Sequence, residues 1–232
     1  MCIRDSTKSV KFIFCLKICL IGFISFGQKN IHHRWNNQLK TYVSEGGKVN
    51  YNAWKKDQKN LNAYIETLSD FPPREGASKN YKLAYWINTL TIKLILENYP
   101  VKSIKEIKSP WNTKCFKTGD KEYSLGDIEH KILRKMNEPR IHFAINCASV
   151  SCPKLLNSAF QEKQLENQLI QATRSFLMDS SKNNLNKNKL KLSKIFFWFK
   201  KDFGSKKERL DFIKKYSDLE YNKPVIDYID YD

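Results

Sequence analysis

The segment from residue 80 to 98, NYKLAYWINTLTIKLILEN, is the strongest constraint on the fold. A helix with one buried face is predicted there, because apolar side chains recur at helical spacing. The Tyr99-Pro100 pair is expected to end it, since the residue before a proline disfavours the helical conformation. Other elements must then cover its apolar stripe, which consists of Leu83, Ile87, Leu90 and Leu94.

Shorter segments with alternating or helical apolar spacing flank this helix. Helices are predicted at 52–69, 125–136, 161–178 and 208–216, and residues 140–147, RIHFAINC, alternate like a strand. Hairpins are expected at 115–123, turning at Gly119-Asp120, and around Leu190 and Leu192. Together they predict a single α+β domain, with several amphipathic helices around a small, mainly antiparallel sheet.

The first 27 residues are predicted to direct export and not to join the fold. Lys8 and Lys11 precede an uncharged apolar run, Ile18 to Phe26, that is short for a membrane span. A signal peptide cleaved near Gln28 is therefore expected, with an uncleaved membrane anchor as the alternative. Residues 1–6, MCIRDS, fit badly before a signal and are interpreted as a spurious leader. Residues 28–232 are then a single periplasmic or secreted domain.

The chain is strongly basic, with a formal net charge of +17. Such a charge is found in proteins that bind nucleic acid or anionic surfaces. No nucleic-acid motif accompanies it, so a solvated lysine-rich surface is the preferred interpretation. The partner we expect is an unidentified envelope substrate or ligand, not nucleic acid, and membrane contact is expected only through an uncleaved N-terminal segment.

Residues 139–153, PRIHFAINCASVSCP, carry the strongest candidate chemistry. A cysteine nucleophile needs a base to take its proton and a third group to orient that base. His130 and His142 are the candidate bases in the folded region. Glu129 and Asn88 are the candidate orienting groups, and Asn146 is an alternative.

Cys152 is expected to be a better placed nucleophile than Cys147. On a regular strand, His142 and Cys147 point to opposite faces because an odd number of positions separates them. Cys152 precedes Pro153, and proline favours the first position of a helix. A thiol at a helix N-terminus has its thiolate stabilised by backbone amides, which can also bind an oxyanion.

Other interpretations of these residues remain open. In an exported protein, Cys147 and Cys152 can close a short disulfide loop. Zinc binding by these cysteines with His130 and His142 would use suitable ligand types at no standard spacing, so we expect no metal and no other cofactor. Trp86 is a candidate binding residue for a carbohydrate or peptide, although core packing is the preferred interpretation.

Four motifs resemble those of the Domain of Unknown Function 547 family, in the family's order. They are AYWIN at 84–88, SLGDIEHKILR at 124–134, PRIHFAINCASVSCPKL at 139–155 and LSKIFFWFKKDF at 192–203. The chain is identified by this resemblance as an exported bacterial member. The resemblance implies a shared site, in a fold for which a papain- or transglutaminase-like thiol domain is the working hypothesis. The family's motif residues correspond here to Asn88, Glu129, His130, Arg140, His142, Cys147, Cys152 and Pro153, and Arg140 is taken as a binding residue.

Two departures from the family pattern are visible. The first motif continues as Thr89-Leu90-Thr91, without the Tyr-Asn pair that usually follows Trp-Ile-Asn-x. The family also tends to end in Tyr-Asp-Trp-x-Leu-Asn, whereas this chain ends at Tyr231-Asp232, which indicates C-terminal truncation.

Two functions follow as hypotheses. The first is a thiol-dependent hydrolase or acyltransferase that acts on an amide or ester through a Cys/His site. The alternative is a non-catalytic cell-envelope binding domain in which Cys147 and Cys152 form a disulfide.

Overall fold

The long helix predicted from residue 80 is present as α4, Lys79–Glu97. The computed structural model describes residues 30–97, 109, 111–146, 149–220 and 224–230, and only the backbone of residues 94–97. Leu83, Ile87 and Leu90 are each at most 1% exposed, so the predicted stripe is buried. The predictions for the side chain of Leu94, for the stop at Tyr99-Pro100 and for residues 1–27 lie outside the described residues.

Further helices precede and follow α4. α3 packs against α4 on one side, and α6 packs against both α5 and α8. Of the helices in the described ranges, none combines the length and the apolarity needed to cross a membrane. The helices are α1 (His33–Tyr42), α2 (Tyr51–Lys56), α3 (Gln58–Asp70), a π-helix (Asp127–Ile132), a 3-10 helix (Leu133–Met136), α5 (Ile141–Ala144), a second 3-10 helix (Glu162–Gln164), α6 (Leu165–Leu177), α7 (Ile195–Trp198) and α8 (Lys206–Ser217).

The strands form two small sheets. The predicted hairpin is confirmed: β1 (Lys114–Thr118) and β2 (Lys121–Ser124) are antiparallel and turn at Gly119-Asp120. In the other sheet β4 (Lys189–Ser193) lies between β3 (Asn184–Leu185) and β5 (Val225–Ile229), antiparallel to β3 and parallel to β5. The predicted α+β class, with mainly antiparallel strand pairing, is therefore confirmed.

The predicted strand at residues 140–147 is wrong. Ile141–Ala144 forms the short helix α5, and Cys147 lies outside the described residues. Every residue from Arg140 to Ile145 is buried, so alternation of polar and apolar side chains does not reflect alternation of solvent and core. The opposite-face argument about His142 and Cys147 no longer applies.

The helix predicted to begin at Pro153 is absent, since residues 153–156 have no regular secondary structure. The backbone N–H of Cys152 donates to the Ser149 carbonyl at 3.1 Å, closing a turn. The Pro153 carbonyl accepts from Nδ2 of Asn146 at 2.6 Å. Cys152 is therefore not a helix cap, and the helix-dipole argument for a stabilised thiolate fails.

The helix predicted over residues 52–69 is interrupted at Asp57, between α2 and α3. The Asp57 carboxylate accepts hydrogen bonds from Gln38 and Asn60 at 2.6 and 2.7 Å, and from Tyr42 at 3.1 Å. These bonds, to side chains of α1 and α3, hold Asp57 in place at the break between α2 and α3.

Asn88 in α4 fastens the segment before α6 to the core. Its Nδ2 donates to the Phe160 carbonyl at 2.8 Å, and its Oδ1 accepts from the Phe160 N–H at 3.1 Å. Asn88 is 1% exposed, so neither backbone group has water as an alternative partner. The pairing stabilises the fold, because an unpaired buried donor or acceptor is costly.

We expect Asn88→Ala to lower the free energy of unfolding by about 3 kcal/mol, since it leaves two buried backbone groups unpaired. Asn80→Ala is the matched control, because Asn80 is exposed in the same helix, and it should change stability by less than about 0.5 kcal/mol. Denaturant unfolding measures both values. Equal stability of the two variants would contradict the structural role given to Asn88.

Candidate functional site

Three segments distant in sequence meet around the ring of His142. The π-helix and the 3-10 helix after it carry Glu129, His130 and Arg134. The short helix α5 carries His142, and the turn after α7 carries Phe199 and Asp202. We call these six residues the His142 cluster.

Asp202 joins His142 to Arg134. Its Oδ2 lies 2.8 Å from Nε2 of His142 and 2.6 Å from Nε of Arg134. Its Oδ1 accepts from Nη2 of Arg134 at 2.8 Å, so arginine and carboxylate form a two-point fork. Such charge-assisted, bidentate pairs are among the stronger hydrogen bonds in proteins.

Phe199 supports both partners of Asp202. The Phe199 ring stacks on the His142 imidazole at 3.9 Å between centroids and 22° between planes. The Arg134 guanidinium lies over the same ring, with Cζ 5.2 Å from the centroid. The Asp202 N–H donates to the Phe199 carbonyl at 2.8 Å. The turn from Phe199 to Asp202 therefore fixes both the plane of the His142 ring and the position of the carboxylate that binds it.

The proton positions follow from this environment. Burial by itself raises the pKa of Asp202, but hydrogen bonds from His142 and Arg134 outweigh it and hold that pKa well below its usual range. Burial lowers the pKa of His142, against the opposing effect of Asp202. Because an ionised carboxylate only accepts, the neutral ring carries its proton on Nε2. The basic nitrogen of His142 is therefore Nδ1.

Within the π-helix, the side chains of Glu129 and His130 differ in their exposure to solvent. The Leu133 N–H reaches the carbonyl of Ile128, five residues back, as well as that of Glu129. The helix predicted over residues 125–136 is therefore not a regular α-helix along its length. Glu129 is 8% exposed, whereas His130 is exposed. A single π turn inside a helix is often found at a functional site.

The start of the π-helix is fixed by reciprocal hydrogen bonds between Ser124 and Asp127. The Asp127 N–H donates to Oγ of Ser124 at 3.1 Å, and the Ser124 N–H donates to Oδ2 of Asp127 at 2.9 Å. The Asp127 carboxylate also pairs with Lys114 and Lys131. Hydrogen bonds from these lysines hold the pKa of Asp127 well below its ordinary value. This end of the π-helix is thus anchored two residues from Glu129.

Glu129 and Asp202 have opposite environments. Burial raises the pKa of Glu129 from 4.5 to about 7, with the Arg134 charge opposing the rise and the Asp202 charge adding to it. Within the described part of the chain, no hydrogen bond or ion pair reaches the Glu129 carboxyl. Glu129 therefore does not orient either histidine. Asp202 is the carboxylate that orients His142.

His130 lies at the exposed side of the cluster. Its Nδ1 is 3.4 Å from Nη1 of Arg134. Burial lowers the pKa of His130, and the nearby Arg134 charge lowers it further, against the effect of Asp202. The ring is neutral near pH 7 and accepts from the guanidinium.

Asn88, Arg140 and Trp86 have structural contacts of their own. Asn88 uses both ends of its amide on the Phe160 backbone. Arg140 donates four hydrogen bonds, two to Glu138 and two to Glu166, which leaves little capacity for a ligand. Trp86 is 8% exposed and makes edge contacts with three other aromatic rings, those of Tyr85, Phe116 and Tyr123.

The aromatic segment 196–199 is divided between core and surface. Phe196 is fully buried, whereas Phe197 and Trp198 are each 51% exposed. Phe199 is half-buried and is the member that contacts His142. Core packing therefore accounts for only part of this segment.

Cys152 belongs to a disulfide whose partner lies outside the described residues. The residue is 4% exposed. A sulfur atom in a disulfide has no thiolate with which to attack a substrate. Cys147 lies outside the described residues.

Asp202, Arg134 and Phe199 are cluster members that the sequence did not single out. Each stands inside a quoted motif, Arg134 in SLGDIEHKILR and the other two in LSKIFFWFKKDF. One sequence feature could have pointed to Asp202, because it is the single acidic residue of FKKDF and follows two lysines. His130 and Arg134 also share one helix face at i, i+4 spacing. Among the His, Cys, Asp and Glu residues of the described ranges, no group of three is arranged to hold a metal ion.

Comparison with known proteins gives one match. Residues 74–177 match the model of the family described as "Protein of unknown function, DUF547", which supports the family that the sequence motifs indicated. The matched segment contains Glu129, Arg134 and His142 and ends before Phe199 and Asp202. No curated protein and no solved structure matches the chain.

We expect Glu129→Gln to change how stability depends on pH. The wild-type carboxyl ionises near its ordinary pKa when unfolded but only near 7 when folded, so ionisation destabilises the fold as pH rises through this interval. Between pH 4.5 and 8 the variant should gain about 3 kcal/mol relative to wild type, since one pKa unit corresponds to about 1.4 kcal/mol.

Urea unfolding of both proteins at the two pH values measures this gain. Glu122→Gln, at an exposed position of β2, is the control and should follow the wild type at both. A constant difference between Glu129→Gln and wild type across the range would show that Glu129 ionises normally in the folded protein.

Proposed function

We propose that this chain, in which residues 74–177 match the DUF547 family model, is a hydrolase or acyltransferase of amides or esters. The observation that carries the proposal is the 2.8 Å hydrogen bond between Nε2 of His142 and Oδ2 of Asp202. A buried carboxylate that holds one imidazole nitrogen orients the ring and leaves the other nitrogen as a base. Arg134 keeps that carboxylate ionised.

The reaction is proposed to use a cysteine nucleophile. The thiol proton moves to Nδ1 of His142 as a sulfur–carbon bond forms at the substrate carbonyl. The bond from that carbon to the leaving nitrogen or oxygen then breaks, and the leaving group takes a proton from a general acid. Water, or the hydroxyl or amine of a second acceptor in an acyl transfer, adds to the acyl carbon and returns one proton to that acid. The carbon–sulfur bond breaks, and the histidine returns its proton to the sulfur.

Cys147 and Cys152 are the candidate nucleophiles, and either must be reduced to act. Cys152 is oxidised in the structure, so we propose that the thiol-dependent reaction requires a reductant. Cys147 is proposed from its place in the motif alone.

Hydrolysis of 4-nitrophenyl acetate by the reduced full chain tests this function. We expect His142→Gln to lose about 100-fold or more in kcat/KM, which is the usual contribution of a general base. Asp202→Asn should also lose activity, because an amide no longer enforces the Nε2 proton. His33→Gln, at an exposed position of α1, should retain the wild-type rate.

The thiol requirement is measured separately. Cys147→Ser and Cys152→Ser should identify the nucleophile by loss of both turnover and labelling with a chloroacetamide probe. Unchanged turnover in both serine variants would remove the thiol from the proposal while leaving His142 in place. Unchanged turnover in His142→Gln would refute the proposed site as a whole.

The expected substrate is an envelope component outside the cytoplasm. The support is the export-type pattern of residues 1–27 and the basic charge of the chain, +17 before any cleavage. Nucleic acid is not the proposed partner. An uncleaved segment anchored in the membrane is the alternative to a free periplasmic or secreted protein.

A second candidate function is non-catalytic binding of an envelope ligand. It is favoured by the oxidised state of Cys152, and we propose Cys147 as the partner because it is the nearest cysteine in the chain. In this alternative the disulfide closes a short loop and the His142 cluster shapes a binding surface.

Intact-mass measurement of protein recovered from its own cells, without reductant, tests this alternative and the export proposal together. A chain that begins near residue 28 and lacks two hydrogens relative to its reduced form is the expected result. A peptide map should then join Cys147 to Cys152. Alkylation of both cysteines before reduction would reject the disulfide, and an intact N-terminus would reject cleavage.

A further inference from the structure

We infer that Glu129 is a second proton-transfer residue of the His142 cluster, the acid that gives a proton to the leaving group of the substrate. The inference rests on the proposed function, and it assigns to Glu129 a task separate from that of His142. It stands on three observations: the burial of the side chain, the lack of a partner for its carboxyl among the described residues, and the π turn that places it.

A buried carboxyl without a partner is unusual in a folded protein. Burying a polar group costs free energy unless a hydrogen bond replaces its water. Glu129 is 8% exposed, and within the described ranges no donor reaches its oxygens. Arg134, whose charge lowers the pKa of Glu129, directs its fork at Asp202 instead. The Glu129 oxygens are not among the fully buried, unpaired side-chain atoms of these ranges, so they remain within reach of water or of a substrate.

The backbone places Glu129 inside through an irregular helix. Because the Leu133 N–H is shared between the carbonyls of Ile128 and Glu129, the turn is wider than that of an α-helix. The preceding residue pair Ser124 and Asp127 caps the helix and fixes its entry. The wide turn leaves Glu129 buried toward Asp202 and Arg134 while the next residue, His130, is exposed.

The carboxyls of Glu129 and Asp202 differ in protonation state, as an acid and an ionised partner would. Asp202 accepts three hydrogen bonds from charged or polar donors, which keeps it ionised. Burial without such donors raises the pKa of Glu129 to about 7, so a large fraction is protonated at neutral pH. Two carboxyls whose surroundings separate their protonation states are the usual arrangement for distinct acid and ionised roles.

The proton balance of the reaction closes with Glu129 included. In the first step the thiol proton goes to His142, and the Glu129 proton goes to the leaving nitrogen or oxygen as its bond to carbon breaks. In the second step water adds to the acyl carbon and gives one proton to the Glu129 carboxylate. The carbon–sulfur bond breaks, and His142 returns its proton to the sulfur. Both residues end as they began.

The dependence of rate on leaving group tests the assignment in the reduced full chain. A good leaving group needs no acid, whereas a poor one does. Across aryl acetates from 4-nitrophenyl to 4-methoxyphenyl, kcat/KM of Glu129→Gln should fall more steeply than that of wild type. We expect a loss of less than about 3-fold on the nitrophenyl ester and about 100-fold on an alkyl ester.

Matched variants separate this inference from the proposed function. His142→Gln should lose rate on every ester alike, Glu129→Asp should recover part of the alkyl-ester rate, and Glu122→Gln should behave as wild type. A uniform loss, or no loss, in Glu129→Gln overturns the inference while the His142 result stands. If wild type hydrolyses none of the esters, the proposed function and the inference fall together.

Discussion

The candidate site depends on the carboxylate of Asp202. It binds the Arg134 fork and the His142 ring at once, and its own backbone is tied to Phe199. A partly buried charge is stable only when it is paired and hydrogen-bonded. Asp202 meets that condition by linking the 3-10 helix, α5 and the turn after α7. The same bonds assign the His142 proton to Nε2, so one interaction both joins the fold here and determines which nitrogen is basic.

The carboxyl of Glu129 belongs to the same cluster as that of Asp202 but differs from it in hydrogen-bond partners and in pKa. Asp202 accepts from charged donors, whereas Glu129 is buried without a donor among the described residues and its pKa rises to about 7. The π turn that buries it is anchored by Ser124 and Asp127. This contrast creates a chemical asymmetry within one cluster, with an ionised carboxylate at Asp202 and, at Glu129, a carboxyl that keeps its proton up to about pH 7. Acid–base chemistry needs such a pair of states at the same pH.

The oxidised state of Cys152 is what separates the two proposed functions. A disulfide at Cys152 fits an exported binding domain, because disulfides persist in oxidising compartments. The His142–Asp202 pair, which also joins two segments of the fold, is the interaction on which the proposed proton transfer depends. A reducing or oxidising compartment would therefore decide which of the two the same fold supports.

By itself the sequence determined local features, the α4 stripe and the β1–β2 turn, because these follow from side-chain periodicity and from the preferences of turn residues. The motif positions of Glu129 and His142 came from the resemblance to the family. Only the tertiary structure decided that residues 141–144 are helical, because a segment buried on all sides has no exposed face to give its pattern meaning. It also decided the pairing of His142 with Asp202, since contacts between residues 60 apart arise from packing and leave no periodic trace.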